Sequence, residues 1–398
     1  MKLTKKLLLS AVAVSALAVS SCKKEYLDTT PTTQIAADEL FKTTKNAYTL
    51  LNGMHNLVTS PGAGGQTNPL DFGFPSINLC DDIMAEDIVI TNSPYDWAIF
   101  HYQYQSTASG SYWMPFNIWT FCYKLINNAN TIIDGIDGAQ GPQSEKDDIK
   151  GQALAYRAYA YYILVNRFST HYNAGTLTAK GVPVYTTPTT STSEHKGRGT
   201  VAQVYDLIFD DIETAVTLLN ASSISHGTDK SQISLATARG MYARIALNTK
   251  KWELARDNAE LARQQFGLMT PIQLKAGMNS SQIPEVMWAS NLSAEQNNGR
   301  GLRNFIGWMD EKGTGYAAAG TIRSWTKALA DQVPSGDERS NWFDATTRLQ
   351  NKFRFANPAN ADFSDILMRS AEMYLIEAEA RYHLSEEDVA RDVLVSLV

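Results

Sequence analysis

Cysteine is nearly absent from this chain, and the scarcity excludes a disulfide-stapled scaffold, since only Cys22, Cys80 and Cys122 occur in 398 residues. Basic charge is also in deficit. The formal net charge is −6, and removal of the three lysines Lys2, Lys5 and Lys6 with an N-terminal signal takes it to −9. A nucleic-acid binder needs lysine and arginine to neutralise phosphates, so nucleic acid is not an expected partner. Long apolar runs are missing after Ser20, which leaves no segment fit to span a bilayer. The histidines, His55, His101, His171, His195, His226 and His383, are scattered without zinc-ligand spacing. No Gly-x-Ser-x-Gly elbow occurs, and "SPGAGGQ" (60–66) lacks the Lys-Ser/Thr pair of a phosphate loop. Neither a cofactor nor a metal is expected.

The N-terminus carries its own information. A basic head (Met1 to Lys6) precedes the short apolar run "LLLSAVAVSALAVS". Together they have the form of a secretory signal. Small residues then lead directly into Cys22. "VSSC" resembles the lipobox of bacterial lipoproteins, in which cleavage leaves cysteine first, with a thioether-linked lipid on its sulfur. Residues 1–21 are therefore expected to be removed and Cys22 to carry the anchor. Lys23 and Lys24 follow with no adjacent aspartate, a pattern that looks like outer-membrane sorting. Residues 22–37 form a tether, because repeated threonine and Pro31 oppose a helix. Cys80 and Cys122 remain, either as a pair or as buried free thiols.

Residues 38–398 predict one mostly helical domain. Leu40, Phe41, Tyr48, Leu51 and Leu57 recur at helical spacing. So do Ile118, Cys122, Leu125, Ala129, Ile132 and Ile136, and then Ile149, Ala153, Tyr156, Ala160, Leu164 and Phe168. Thr200 and Gln203 form a capping box before a helix from Val201 to Leu219. Ala236, Ala243 and Leu247 face Trp252, Ala255, Ala259 and Ala262 across a short link, an antiparallel hairpin of tetratricopeptide type. A last helix is expected over Asp365 to Tyr382. Arg157, set among apolar residues, needs a buried partner across the bundle. Two stretches interrupt this pattern, 58–117 and 266–364. Within the first, residues 68–113 show no clean period, and such segments often form binding surfaces.

Aromatics concentrate in those interruptions. The chain holds 18 Tyr, 14 Phe and 8 Trp, and "SPYDWAIFHYQYQSTASGSYWMPF" (Ser93 to Phe116) is the densest stretch. Sugars present C–H faces and hydroxyls, so an oligosaccharide site needs exposed rings beside amides, carboxylates or arginine. The expected ligand-binding residues are Trp97, Tyr95, Tyr102 and Asp96 from one stretch, and Trp308, Tyr316, Arg300 and Asn304 from "NNGRGLRNFIGWMDEKGTGY" (297–316). Trp97 and Trp308 are the expected stacking platforms. Asp81, Asp82, Glu86 and Asp87 lie close together. Adjacent acids do not establish the opposed pair of a glycosidase, and the alternation of a calcium loop is absent. No catalytic residue is assigned.

Seven segments in order carry a family resemblance: "CKKEYLDTTP", "LFKTTKNAYTLLNGMH", "WTFCYKLINNANTIID", "GQALAYRAYAYYILVNRF", "GVPVYTTPTT" with "RGTVAQVYDLIFDDIETAVTLL", "SGDER", and "RSAEMYLIEAEA". The chain resembles the SusD/RagB family of nutrient-binding outer-membrane lipoproteins. The resemblance implies a SusD-like fold of tetratricopeptide-like helix pairs framing long irregular binding loops. It implies a lipid-anchored, surface-facing protein that is not an enzyme. Such a protein binds oligosaccharide, or less often peptide, and delivers it to a TonB-dependent outer-membrane transporter. It also implies a further helical pair and an arginine-rich segment after the final Glu-Ala helix, and here the sequence departs from the pattern and is short. The helix pairs by themselves also fit an extracytoplasmic tetratricopeptide-like scaffold for peptide or protein.

Overall fold

The computed structural model describes residues 37–397, apart from 97, 292, 293, 345, 358, 360 and 361. The readings on the signal, Cys22, the tether up to residue 36 and Trp97 lie outside the described residues.

Long helices build the scaffold: α1 (Thr44–Leu57), α2 (Phe74–Met84), α3 (Trp113–Gly135), α4 (Gln143–Phe168), α5 (Val201–Ser222), α6 (Leu235–Asn248), α7 (Trp252–Arg263), the short α8 (Phe305–Met309), α9 (Ser370–His383) and α10 (Glu387–Leu397). Consecutive helices from α3 to α7 pack in sequence order, and α9 packs on α7. The stripes foreseen for α3 and α4 are buried, from Ile118 to Ile132 and from Ile149 to Leu164. Helix α5 starts at the Thr200–Gln203 capping box, in which each side chain bonds the other's backbone N–H. Thr249–Lys251 turns α6 into α7, and buried Ala255, Ala259 and Ala262 let the two helices approach closely. Arg157 finds its partner on α5. Its Nε and Nη2 donate to both Asp211 oxygens at 2.7 Å, and its Nη1 donates to Asn130 Oδ1 at 2.8 Å. Cys80 and Cys122 are buried free thiols.

Two small antiparallel sheets tie the interruptions to this scaffold. β1 (Ile88–Asn92) pairs with β3 (Ile322–Trp325), and β2 (Val286–Ala289) pairs with β4 (Ile366–Arg369). Residues 68–113 are therefore less irregular than expected, since α2 and β1 lie within them. Helix α2 escaped notice because Phe74, Ile77, Leu79, Cys80 and Ile83 are buried on several sides, which erases a one-faced period. The helix expected over Asp365 to Tyr382 likewise starts at Ser370, because Ile366–Arg369 is a strand, and it is not the last, since α10 follows it. Among the described residues no helix is long and apolar enough to cross a membrane.

Candidate functional site: an aromatic rim over a second, smaller core

The β1–β3 pairing joins the two aromatic stretches that the sequence keeps far apart. Asn92 lies opposite Ile322, so the chain leaving β1 runs beside the chain entering β3. Gly320 marks how close they come. Its φ is +106°, and a Cβ there would sit 3.5 Å from Pro94.

Exposed rings follow immediately. Tyr95 is 57% exposed, Phe100 43%, Tyr104 55%, Tyr112 36% and Phe116 46%. These values matter because isolated exposed apolar residues are ordinary, whereas a run of aromatics within one short segment is a surface feature. The backbone is strained to present them. Asp96 and Tyr104 both adopt left-handed conformations, at φ 54° and 59°. For a tyrosine this is unfavourable and persists only where the surroundings enforce it. Here the Tyr104 hydroxyl donates to the Met84 carbonyl at the end of α2. The Phe100 and Tyr112 rings lie 6.5 Å apart at 38°.

Beneath the rim lies a core separate from that of the helix bundle, made of Leu70, Phe72, Leu79, Ile83, Ala98, Trp308 and Met309. His101 supports it. The imidazole is fully buried, with Nδ1 on Ser106 Oγ and the ring edge-on to Trp113 at 4.6 Å. Burial pushes its pKa down to about 4, so it is neutral at physiological pH.

Three expected ligand contacts are structural. Trp308 is fully buried on α8, and its indole N–H donates to the Pro69 carbonyl at 3.3 Å. It cannot serve as an exposed platform. Tyr316 stacks on it at 4.4 Å and 23°, and Arg323 lies over the ring at 5.0 Å. Arg300 is buried against Asp365 at 2.7 Å and also donates to Thr59. Asn304 is the N-cap of α8, its Oδ1 accepting from the Gly307 N–H at 2.7 Å. A five-residue helix leaves no periodic signal, so an aromatic in it reads from sequence like one in a loop. Tyr95 and Asp96 are exposed at the rim, while Tyr102 and Tyr316 are half-buried along its base. Phe100, Tyr104, Tyr112 and Phe116 were not singled out, although the dense stretch Ser93 to Phe116 contains them all.

A recess of about 200 Å³ adjoins the rim, its mainly apolar wall (Ile88, Met309 and Phe353) interrupted by Asp82, Asp87 and Lys352. Ala85, next to the carbonyl that Tyr104 holds, is part of its wall. Burial pushes the Asp82 carboxyl up to about 6 and the Lys352 ammonium down to about 7. Trp325 Nε1 has no hydrogen-bond partner within the protein among the described residues. The recess thus sets donors and acceptors beside exposed rings. A larger cavity, about 580 Å³, lies elsewhere, between α2, α4, α6 and α9. Most of its charges are paired within the protein: Arg167 with Asp81, and Arg244 with Glu372 and the Tyr159 hydroxyl. Among the described residues no group of His, Cys, Asp and Glu is arranged to hold a metal ion.

A SusD-like family model described as "Starch-binding associating with outer membrane" matches residues 25–247. The structure is similar to a SusD-like carbohydrate binding protein from Bacteroides vulgatus. The identity is 27%, the match covers 90% of this chain and 75% of that one, and the TM-score is 0.77. A putative sugar binding protein of the same organism matches at 21% identity, over 89% and 77% of the two chains, with a TM-score of 0.69. The surface glycan-binding protein A of Bacteroides fluxus matches at 16%, over 85% and 76%, with a TM-score of 0.62. At those last two identities the likeness is one of fold. No curated protein matches the chain.

Proposed function

Because the chain belongs to the SusD-like family of outer-membrane-associated, non-catalytic binding proteins, we propose that it captures oligosaccharides at the cell surface and passes them to a TonB-dependent transporter. One observation carries the glycan reading, the rim of exposed aromatics between residues 95 and 116, backed by a recess of hydrogen-bonding groups. Tyr95 and Tyr104 supply ring faces for pyranose C–H groups. Asp96, Asp82 and Lys352 meet hydroxyls. Tyr102 and Tyr316 form the base, and Trp97, next to Asp96 in the sequence, is proposed as a further sugar contact. The ligand covers rings that otherwise face water and thereby regains apolar burial.

Cys22, following a basic head and an apolar run, carries the lipid that holds the protein on the outer membrane, facing the exterior. A calorimetric panel of dietary and host glycans, with peptides alongside, tests the ligand class. Binding of at least one neutral glycan is expected; binding of peptides alone would overturn the reading in favour of a peptide-binding scaffold. Membrane fractionation of Cys22→Ser tests the anchor, and the variant is expected in the soluble fraction.

A further inference from the structure

The rim does not end at Phe116. It continues down α3, where Phe116, Trp119, Tyr123 and Asn127 recur every three or four residues and so share one helical face. The path from Phe116 to Asn127 spans roughly 16 Å along the axis. It ends in a groove of about 370 Å³ between α3 and the segment 183–196.

The groove is built in advance of any ligand. The Tyr123 hydroxyl donates to the Pro183 carbonyl at 2.7 Å. Asn130 Nδ2 holds the Tyr185 and Thr187 carbonyls at 3.1 and 3.0 Å, and the Tyr161 hydroxyl donates to Tyr185 O at 2.9 Å. Buried Arg157 adds a bond to Thr186 O at 3.3 Å. Trp119 is braced edge-on by Phe168 at 5.0 Å, and Tyr123 meets Tyr185 at 6.0 Å. Rings fixed by the scaffold lose little further freedom on binding.

Its polar groups point to a ligand with hydroxyls. Asn127 Oδ1 accepts from both the Thr189 N–H and Oγ1, at 2.7 and 2.9 Å, which fixes the amide and leaves Nδ2 to the groove. Among the described residues no hydrogen bond engages Asn127 Nδ2, Trp119 Nε1 or either ring nitrogen of His195. None of these atoms is sealed from solvent. The groove therefore combines half-buried aromatic rings with reachable donors, and Lys196 at its edge is occupied with Val184 O and the Tyr185 ring.

We propose that this groove is a second pyranose subsite, and that one extended oligosaccharide runs from the 95–116 rim along α3 into it. The proposal rests on the glycan-binding reading above. It makes the ligand a chain of several units, not a mono- or disaccharide.

The test uses ladders of neutral gluco-oligosaccharides with α-1,4, β-1,4 and β-1,3 linkages, from two to eight units, together with any panel glycan that binds. They are titrated against the full chain and against Trp119→Ala, His195→Ala and Tyr104→Ala. Affinity is expected to rise with length in the parent chain. The ratio of long-chain to short-chain affinity is expected to fall roughly tenfold in Trp119→Ala and to drop in the same direction in His195→Ala. His195 lies on an exposed segment, so its variant folds normally and keeps the test open if Trp119→Ala does not. Tyr104→Ala is expected to weaken all lengths alike. A length dependence preserved in both groove variants, or absent from the parent chain, overturns the subsite and leaves the rim standing. Failure of every glycan to bind overturns the glycan reading, and the subsite with it.

Discussion

Arg157 and Arg323 are both buried arginines, and they are treated in opposite ways. Arg157, in the helical scaffold, has a carboxylate on two of its nitrogens and an amide oxygen on the third. Arg323, on β3 in the loop-built lobe, has no carboxylate. Among the described residues it donates only to the carbonyls of Trp308 and Thr321 and lies over the Trp308 ring, while its Nε and Nη2 find no partner. Burial pulls its pKa down to about 10. The difference extends beyond two residues. Among the described residues, buried side-chain atoms without a partner fall mostly in the lobe, at Ser93, His101, Asn297, Glu311, Trp325, Arg348 and Asp365, with Asn117 and Arg239 in the scaffold. The scaffold uses its polar groups to define itself. The lobe, resting on a small core, leaves more of its buried polar atoms unsatisfied among the described residues. The interior of the bundle thus spends its polar groups on stability, whereas recognition is placed at surfaces, on the rim of the lobe and on the outer face of α3.

Substitutions can break or sharpen that division. The largest effect is expected for Asp211→Ala, which strands Arg157 without a counter-ion inside the bundle. A loss of about 3–5 kcal/mol is expected in chemical denaturation, since removing one partner of a buried pair leaves an uncompensated charge. Trp308→Ala follows, with about 3 kcal/mol lost, because it empties the centre of the lobe's core and withdraws the support of Tyr316. A melt unchanged by Trp308→Ala would return that residue to the exposed role the sequence suggested. Arg323→Met is expected to shift stability by less than about 1 kcal/mol in either direction, because exchanging an incompletely paired buried charge for an apolar side chain of similar length removes a desolvation penalty along with the bonds to Trp308 and Thr321. A loss as large as that of Asp211→Ala would erase the contrast between the two arginines.

Much of the scaffold was readable in the sequence. The α3 and α4 stripes, the Thr200–Gln203 box, the small-residue contact of α6 with α7 and the need of Arg157 for a partner all rest on local spacing or on one residue's chemistry. The lobe was not readable in that way. The β1–β3 pairing joins residues 88–92 to 322–325, a long-range contact that leaves no local trace. Without it the stretches 93–116 and 297–316 are two candidates and not one place. Asn304 looked like a ligand amide and is a helix cap, and Arg300 looked like a sugar-binding cation and is neutralised by Asp365, which is distant in sequence. The composition of Ser93 to Phe116 did signal an exposed aromatic surface. Which rings face outward depends on the left-handed turns at Asp96 and Tyr104, which neither residue type announces.

The smallest expected change in stability belongs to the rim, and there the central claim meets its most direct test. Tyr95→Ala and Tyr104→Ala, made singly and together, are compared with the parent chain by thermal melt and by titration with a glycan that the parent binds. Both side chains lie largely outside the core, so each single variant is expected to stay within about 0.5 kcal/mol of the parent stability. Affinity is expected to fall by about 2 kcal/mol for the residue that bears the sugar, roughly thirtyfold. A double variant that melts with the parent and no longer binds is the predicted result. A double variant that is folded and binds the glycan with the parent's affinity would contradict the account.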